Sequence, residues 1–317
     1  MENSRRDFIK NMGLATAAAG LFGIDAFANA SKKDWFQISL AEWSVHKAIF
    51  GGTLDNLDFP AKAKNDFGID IVEYVNTCFK SKTKSFKENG ADANYLKELL
   101  KRCNDNGVSN HLIMCDAEGN LGDADKTKRQ ETVENHYKWV EAAKYLGCKT
   151  IRVNAGGQGT AEELAKTAAD GLRNLGEHAA KVNINVIVEN HGGFSSNGKW
   201  LAGVMKSVDL KNVGTLPDFG NFCLKYDNGN YNKCLDSYDR YLGTEELMPF
   251  AKGVSAKSNV FDASGNEAAM DYNRLLTIVK KANFRGIIGI EYEGPVLSED
   301  DGIRATLALL KKLRVEI

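Results

Sequence analysis

From Gln37 to the C-terminus, short β-branched apolar runs alternate with longer stretches of helical periodicity, and this alternation constrains the fold more than any other feature. Strands separated by helices pair in parallel, because a parallel neighbour can be reached only through a crossover connection. Eight candidate strands are centred on FQISLA, IDIVEYV, VSNHLIMC, KTIRVNA, INVIVENH, NVGTLPD, AKGVSAKS and GIIGIEYEG. Between them lie stretches such as ANYLKELLKRCNDNG, RQETVENHYKWVEAAKYLG and AEELAKTAADGLRNLGEHAAKV. Each is apolar at i, i+3, i+4 and i+7, and the first two end in a glycine suited to terminate a helix. Eight strand–helix units in about 280 residues match a (β/α)8 TIM barrel. A doubly wound sheet fits less well: no G-x-G-x-x-G follows the first strand, and NAGGQGT after the fourth is a weak glycine cluster. With only four prolines and no low-complexity linker, residues 31–317 are predicted to form one α/β domain.

Residues 1–30 are set apart from that domain. Arg5-Arg6, followed by Phe8 and Lys10, precedes a soft Ala- and Gly-rich run that ends in Ala28-Asn29-Ala30. The run falls short of the ~20 strongly apolar residues a membrane span needs. Basic region, short apolar region and A-x-A end form the order of a cleavable export signal, and the arginine pair resembles the twin-arginine class. A periplasmic destination and no membrane span are therefore expected.

Acidic and basic residues nearly cancel, giving a formal charge of -1, whereas nucleic-acid binders need clustered positive charge. No nucleic-acid partner is expected. The six cysteines show no C-x-x-C spacing, which leaves a zinc knuckle or thioredoxin-like motif unsupported. Mostly buried free thiols are expected in a domain this large; sequence assigns neither disulfides nor an oligomeric state.

In a barrel, chemistry gathers at the C-terminal ends of the strands. There the predicted strands end in polar groups: Glu189 and His191 after the fifth, Asp218 after the sixth, Ser255 and Lys257 on the seventh, Glu291 and Glu293 on the eighth. Like charges brought together by strands five, six and eight are costly unless a cation or a shared proton neutralises them. A divalent metal on Glu189, Asp218 and Glu291 resolves the cost. Oxygen ligation suits Mg²⁺ or Mn²⁺, and an added imidazole would shift preference towards Mn²⁺, Co²⁺ or Zn²⁺. Glu293, one step further out beside Gly294-Pro295, is expected to cap the loop.

The segments SLAEWSVHKAIFGGTLDNLDFPAKAKNDFGIDIVEYVN, ENHGG, DFGNF, AKS and IEYEG resemble the xylose isomerase-like TIM-barrel superfamily, in particular its sugar phosphate isomerase/epimerase branch. The resemblance implies one divalent metal held by Glu189, Asp218 and Glu291, with the two glutamates shuttling a proton next to a carbonyl. Where the branch usually has His-x-Lys on strand seven, this chain has Ser255-Ala256-Lys257, so the fourth ligand is open: water or substrate, His191 from strand five, or a weak or absent metal.

Lys257 could stabilise a developing oxyanion or pair with a neighbouring acid. Trp43 and His46, after the first strand, suit a sugar's apolar face and hydroxyls, although Trp43 could equally plug the rim. Asn154, Glu73 and His191 are candidate substrate or supporting contacts. His111 is expected to be structural, and His136 and His178 to be solvated on helices. The sequence thus points to a sugar isomerase or epimerase, or a related lyase, acting on a keto-sugar or other small carbohydrate. Its competitor is an exported carbohydrate- or metal-binding barrel without turnover, supported by Ser255. A histidine-rich multi-zinc endonuclease site is argued against by five histidines and near-neutral charge.

Overall fold

A computed structural model describes residues 34–79, 93–227 and 230–317, without the side chains of 231 and 232. Residues 1–30, expected from the sequence to be an export signal, lie outside the described residues. The described residues form ten strands: β1 (Gln37–Ala41), β2 (Ile71–Val75), β3 (Ser109–Met114), β4 (Thr150–Val153), β5 (Asn185–Glu189), β6 (Val213–Leu216), β7 (Cys223–Asp227), β8 (Asn230–Ser237), β9 (Val254–Ser258) and β10 (Ile287–Tyr292). Eight form one parallel sheet in the order β6-β5-β4-β3-β2-β1-β10-β9. Its two ends meet through the parallel bridges Thr215↔Ala251 and Asp218↔Ser255, and the Lys252 amide donates to the Thr215 carbonyl at 3.0 Å. The chain is a single (β/α)8 TIM barrel, and all eight strands expected from the sequence are its staves.

Each stave is apolar and buried because helices cover its outer face. The apolar residues of staves and helices form one continuous core, in which Trp139, Phe36, Phe59 and Phe219 are fully enclosed. Burying such side chains contributes about 1.5–3 kcal/mol each. Gly147, at φ 80°, supplies the left-handed residue that ends the helix Tyr137–Leu146. The stretch expected as one helix before it is two, Lys126–Asn135 and Tyr137–Leu146, broken at His136.

That histidine corrects an expectation. His136 is buried, its Nδ1 2.8 Å from the Thr132 carbonyl, because it shares the inward face of Thr132, Val133, Trp139 and Val140. His178 is half-buried and stacks on Tyr137 at 3.5 Å between ring centres. His111 is buried; with no partner for Nε2, desolvation pushes its imidazole down to about 4.

Strands β7 and β8 were not expected. They form an antiparallel hairpin inserted after β6, and Cys223 and Cys234 are joined by a disulfide across it. Cys78, Cys103, Cys115 and Cys148 are buried free thiols, as expected of most of the six.

Candidate active site

The polar groups of the barrel meet inside its C-terminal mouth. Glu189 ends β5, Asp218 lies two residues beyond β6, and Glu291 lies on β10; all three are buried, and each offers a carboxylate oxygen within 4.8 Å of the others. The register of β9 and β10 sets Lys257 directly beside Glu291, and Gly289 beside Ser255. Lys257 Nζ forms an ion pair across this register, 2.9 Å from Glu291 Oε1, and also lies 3.1 Å from Glu293 Oε2. Ser255 Oγ donates towards Asp218 Oδ2 at 2.5 Å and lies 3.1 Å from Glu291 Oε2.

On the far side of the cluster, Arg152 of β4 is almost fully buried. Its Nη1 donates to Asp116 Oδ1 at 2.6 Å, and its Nε lies 2.8 Å from Glu189 Oε2. The latter contact is off-axis, so neither Arg152 Nε nor Glu189 Oε2 has a hydrogen-bond partner. The other Glu189 oxygen accepts from Asn221 Nδ2 at 2.9 Å, while Asp218 Oδ1 accepts the backbone N–H groups of Gly220 and Asn221, each at 2.8 Å.

These surroundings set the charges. Burial pushes Glu189 up to about 7, against the pull of Arg152, and the nearby Glu291 adds to the rise. Burial likewise pushes Asp218 up to about 7 against Lys257. Burial acts on Glu291 too, but contact with Lys257 prevails and holds it below the usual carboxylate range. Desolvation opposes the Lys257 ammonium, yet Glu291, Asp218 and Glu293 together raise it well above its ordinary value. Deeper in the barrel, Glu73 of β2 accepts from Ser39 Oγ at 2.5 Å, and burial pushes it up to about 8. Its carboxyl occupies the space above Gly289, where an added Cβ would come within 2.8 Å of both oxygens.

The sequence of residues 61–313 matches the family described as the xylose isomerase-like TIM barrel. The chain belongs to that family. No curated protein sequence matches it. Solved structures share the fold at low identity. The 3-keto-D-glucoside 4-epimerase of E. coli is 16% identical with a TM-score of 0.62, over 87% of this chain and 99% of that one. D-psicose 3-epimerase from Clostridium cellulolyticum H10, solved with D-tagatose, is 13% identical with a TM-score of 0.63, over 88% and 99%. The IolI protein, solved with a zinc atom, is 14% identical with a TM-score of 0.63, over 88% and 98%.

Outside the carboxylate cluster, the candidate contacts divide into two groups. Trp43 Nε1 donates to Glu293 Oε1, and the His46 ring stacks on Trp43 with centres 4.5 Å apart. Glu293 therefore does more than cap its loop, since it joins this aromatic pair to Lys257. Asn154 Nδ2 donates to Asp116 Oδ1 at 2.9 Å, on the Arg152 side. His191 is exposed; partial desolvation and the positive charges of Arg152 and Lys257 push its imidazole below the usual range. It is not among the side chains that converge with Glu189, Asp218 and Glu291. Sequence reasoning missed Arg152, Asp116 and Asn221. For Arg152 a signal existed: an arginine two residues before Asn154 on an apolar strand must share its inward side.

Proposed function

We propose that the protein is a divalent-metal-dependent sugar isomerase or epimerase that moves a proton at a carbon next to a carbonyl. The observation that carries this reading is the convergence of three buried carboxylates, at the ends of β5 and β6 and on β10, within 4.8 Å of one another. Three buried acids gathered so closely fit an oxygen-ligated cation, and Glu189, Asp218 and Glu291 would hold it. When bound, such a cation supplies Lewis-acid polarisation of a carbonyl. Mn²⁺, Mg²⁺, Co²⁺ and Zn²⁺ all suit carboxylate ligands.

The chain's own residues do the rest. Glu189 and Glu291 exchange the proton with the substrate carbon, one as base and the other as acid. Lys257, fixed beside Glu291, places positive charge near the developing oxyanion. Asp218 is oriented by the two backbone N–H groups of its own turn. Trp43, His46, Asn154 and His191 line the approach and suit a small carbohydrate; the epimerases named above act on such sugars. The described residues contain no helix long and apolar enough to cross a membrane. Export to the periplasm belongs to the same proposal. Beyond the arginine pair, its support is the Cys223–Cys234 bridge, since structural disulfides are rare in reducing compartments.

The test starts with protein purified without chelator. Bound divalent metal, and deuterium exchange from solvent into ketoses or oxidised glycosides that disappears in Glu291→Gln, are the expected results. Ser255, where the family branch usually has histidine, favours a second reading, a binding barrel without turnover. Bound metal or sugar with no exchange in any substrate would select it.

A further inference from the structure

We propose that the Cys223–Cys234 disulfide is a positioning element for the carboxylate cluster, acting through Asn221; its link to turnover rests on the proposed function. One tight turn after β6 holds two of the three acids. Asp218 accepts the Gly220 and Asn221 amides, while the Asn221 side chain donates to Glu189. The Asn221 carbonyl in turn accepts from Asn190 Nδ2 at 3.0 Å and Ser196 Oγ at 2.7 Å. Asn221 therefore fixes Glu189 relative to Asp218, and its own position depends on the segment that leaves the turn.

That segment is the hairpin. Phe222 packs so closely on Gly243 that an added Cβ there would come within 2.3 Å of its ring. Cys223 follows directly, pairs with Ser237 on β8, and is bonded to Cys234 with 5.7 Å between Cα atoms. A two-stranded hairpin is marginal on its own, and this ladder is irregular, with register shifts at Cys223/Lys225, Lys225/Tyr226 and Tyr226/Asp227. The covalent bridge takes over what an irregular ladder does poorly, two residues from Asn221. The hairpin also rests on the loop after β5: Tyr226 lies over Gly192, at φ 88°, where an added Cβ would come within 3.3 Å of the ring. Both loops that carry Glu189 and Asp218 are thus braced by the bridged hairpin. Cys234 is exposed, so a thiol can reach the bridge. Reduction by a dithiol breaks the S–S bond, transfers two electrons and two protons to the two cysteines, and leaves the dithiol as its cyclic disulfide.

Hydrogen–deuterium exchange of the full chain, oxidised and after dithiothreitol treatment, tests the idea. Amides of residues 218–223 are expected to exchange on the order of tenfold faster after reduction, with those of β1–β4 unchanged. Re-oxidation should restore protection, and the Cys223→Ser/Cys234→Ser variant should match the reduced protein. Unchanged exchange at 218–223 overturns the proposal. So does equal acceleration throughout the barrel, which would make the bridge a general staple. Mn²⁺ titration of both forms gives a separate reading, with weaker binding expected after reduction. Faster local exchange with no Mn²⁺ bound by either form would leave the positioning role standing and remove the metal-dependent reading.

Discussion

Glu189 and Glu291 are two buried glutamates of one cluster, each beside a cation less than 3 Å away, and their carboxyls are shifted in opposite directions. Burial raises both. What differs is the balance of neighbouring charge. Glu291 meets Lys257 and is helped further by Arg152 and His191, whereas Arg152 is shared with Asp116, and both Glu291 and Asp116 act against the ionised Glu189. Desolvation therefore prevails at Glu189 and not at Glu291. Two carboxyls of unlike proton affinity facing one substrate space are what acid–base chemistry requires.

The comparison breaks most visibly at Glu291. Glu291→Gln removes the ionised partner and keeps the volume, and proton exchange into a substrate is expected to fall by about 10²–10⁴-fold with sugar binding largely retained. Initial-rate assays together with calorimetric titration separate the two effects. Next in size is Lys257→Met, which leaves Glu291 buried without its cation at a cost of about 3–5 kcal/mol at pH 7. The pH dependence contributed by this carboxyl also changes sign. In the wild type its folded-state affinity for protons lies below that of the unfolded chain, so its contribution to stability is lost as pH falls below about 4.5. In the variant only Arg152, His191 and the Ser255 hydroxyl oppose burial, and stability is expected to be lost as pH rises above that value. Urea unfolding at pH 4 and pH 7 reads the reversal directly.

The fold was legible because short, mostly apolar and buried staves alternate with amphipathic helices, and three acids fall at or near stave ends. The hairpin was not, since KYDNGNYNKCLD is polar, Asn-rich and lacks the alternation of a half-buried strand. Its disulfide was hidden with it, because nothing in the spacing of Cys223 and Cys234 selects that pair among six cysteines. His136 could have been read correctly, since it lies at helical spacing from the buried Thr132, Val133, Trp139 and Val140. The opposite shifts of Glu189 and Glu291 depend on which charges the fold sets beside each carboxyl, which no sequence spacing encodes.

A finer form of the contrast lies one layer below the mouth. Glu73 has no cation of its own: it accepts from Ser39, and with Glu189 and Glu291 nearby, burial carries it up to about 8. An acid whose folded-state value is raised binds more protons folded than unfolded between about 4.5 and 8. Its contribution is therefore fully present below pH 4.5 and is lost as pH rises through that window, by about 1.4 kcal/mol per pH unit. Glu42, in the turn after β1 and also pushed up to about 8, adds a slope of the same sign, as do Glu189 and Asp218 at about 7. Glu73→Gln keeps an oxygen for Ser39 and fits the space above Gly289 while removing the titration. Unfolding free energies at pH 5, 6, 7 and 8 should then fall less steeply than in the wild type, by about one proton's worth, and the slopes from Glu42, Glu189 and Asp218 should remain. An unchanged slope would mean that Glu73 is already ionised inside the barrel, and that the cation-free acid is stabilised by something other than its proton.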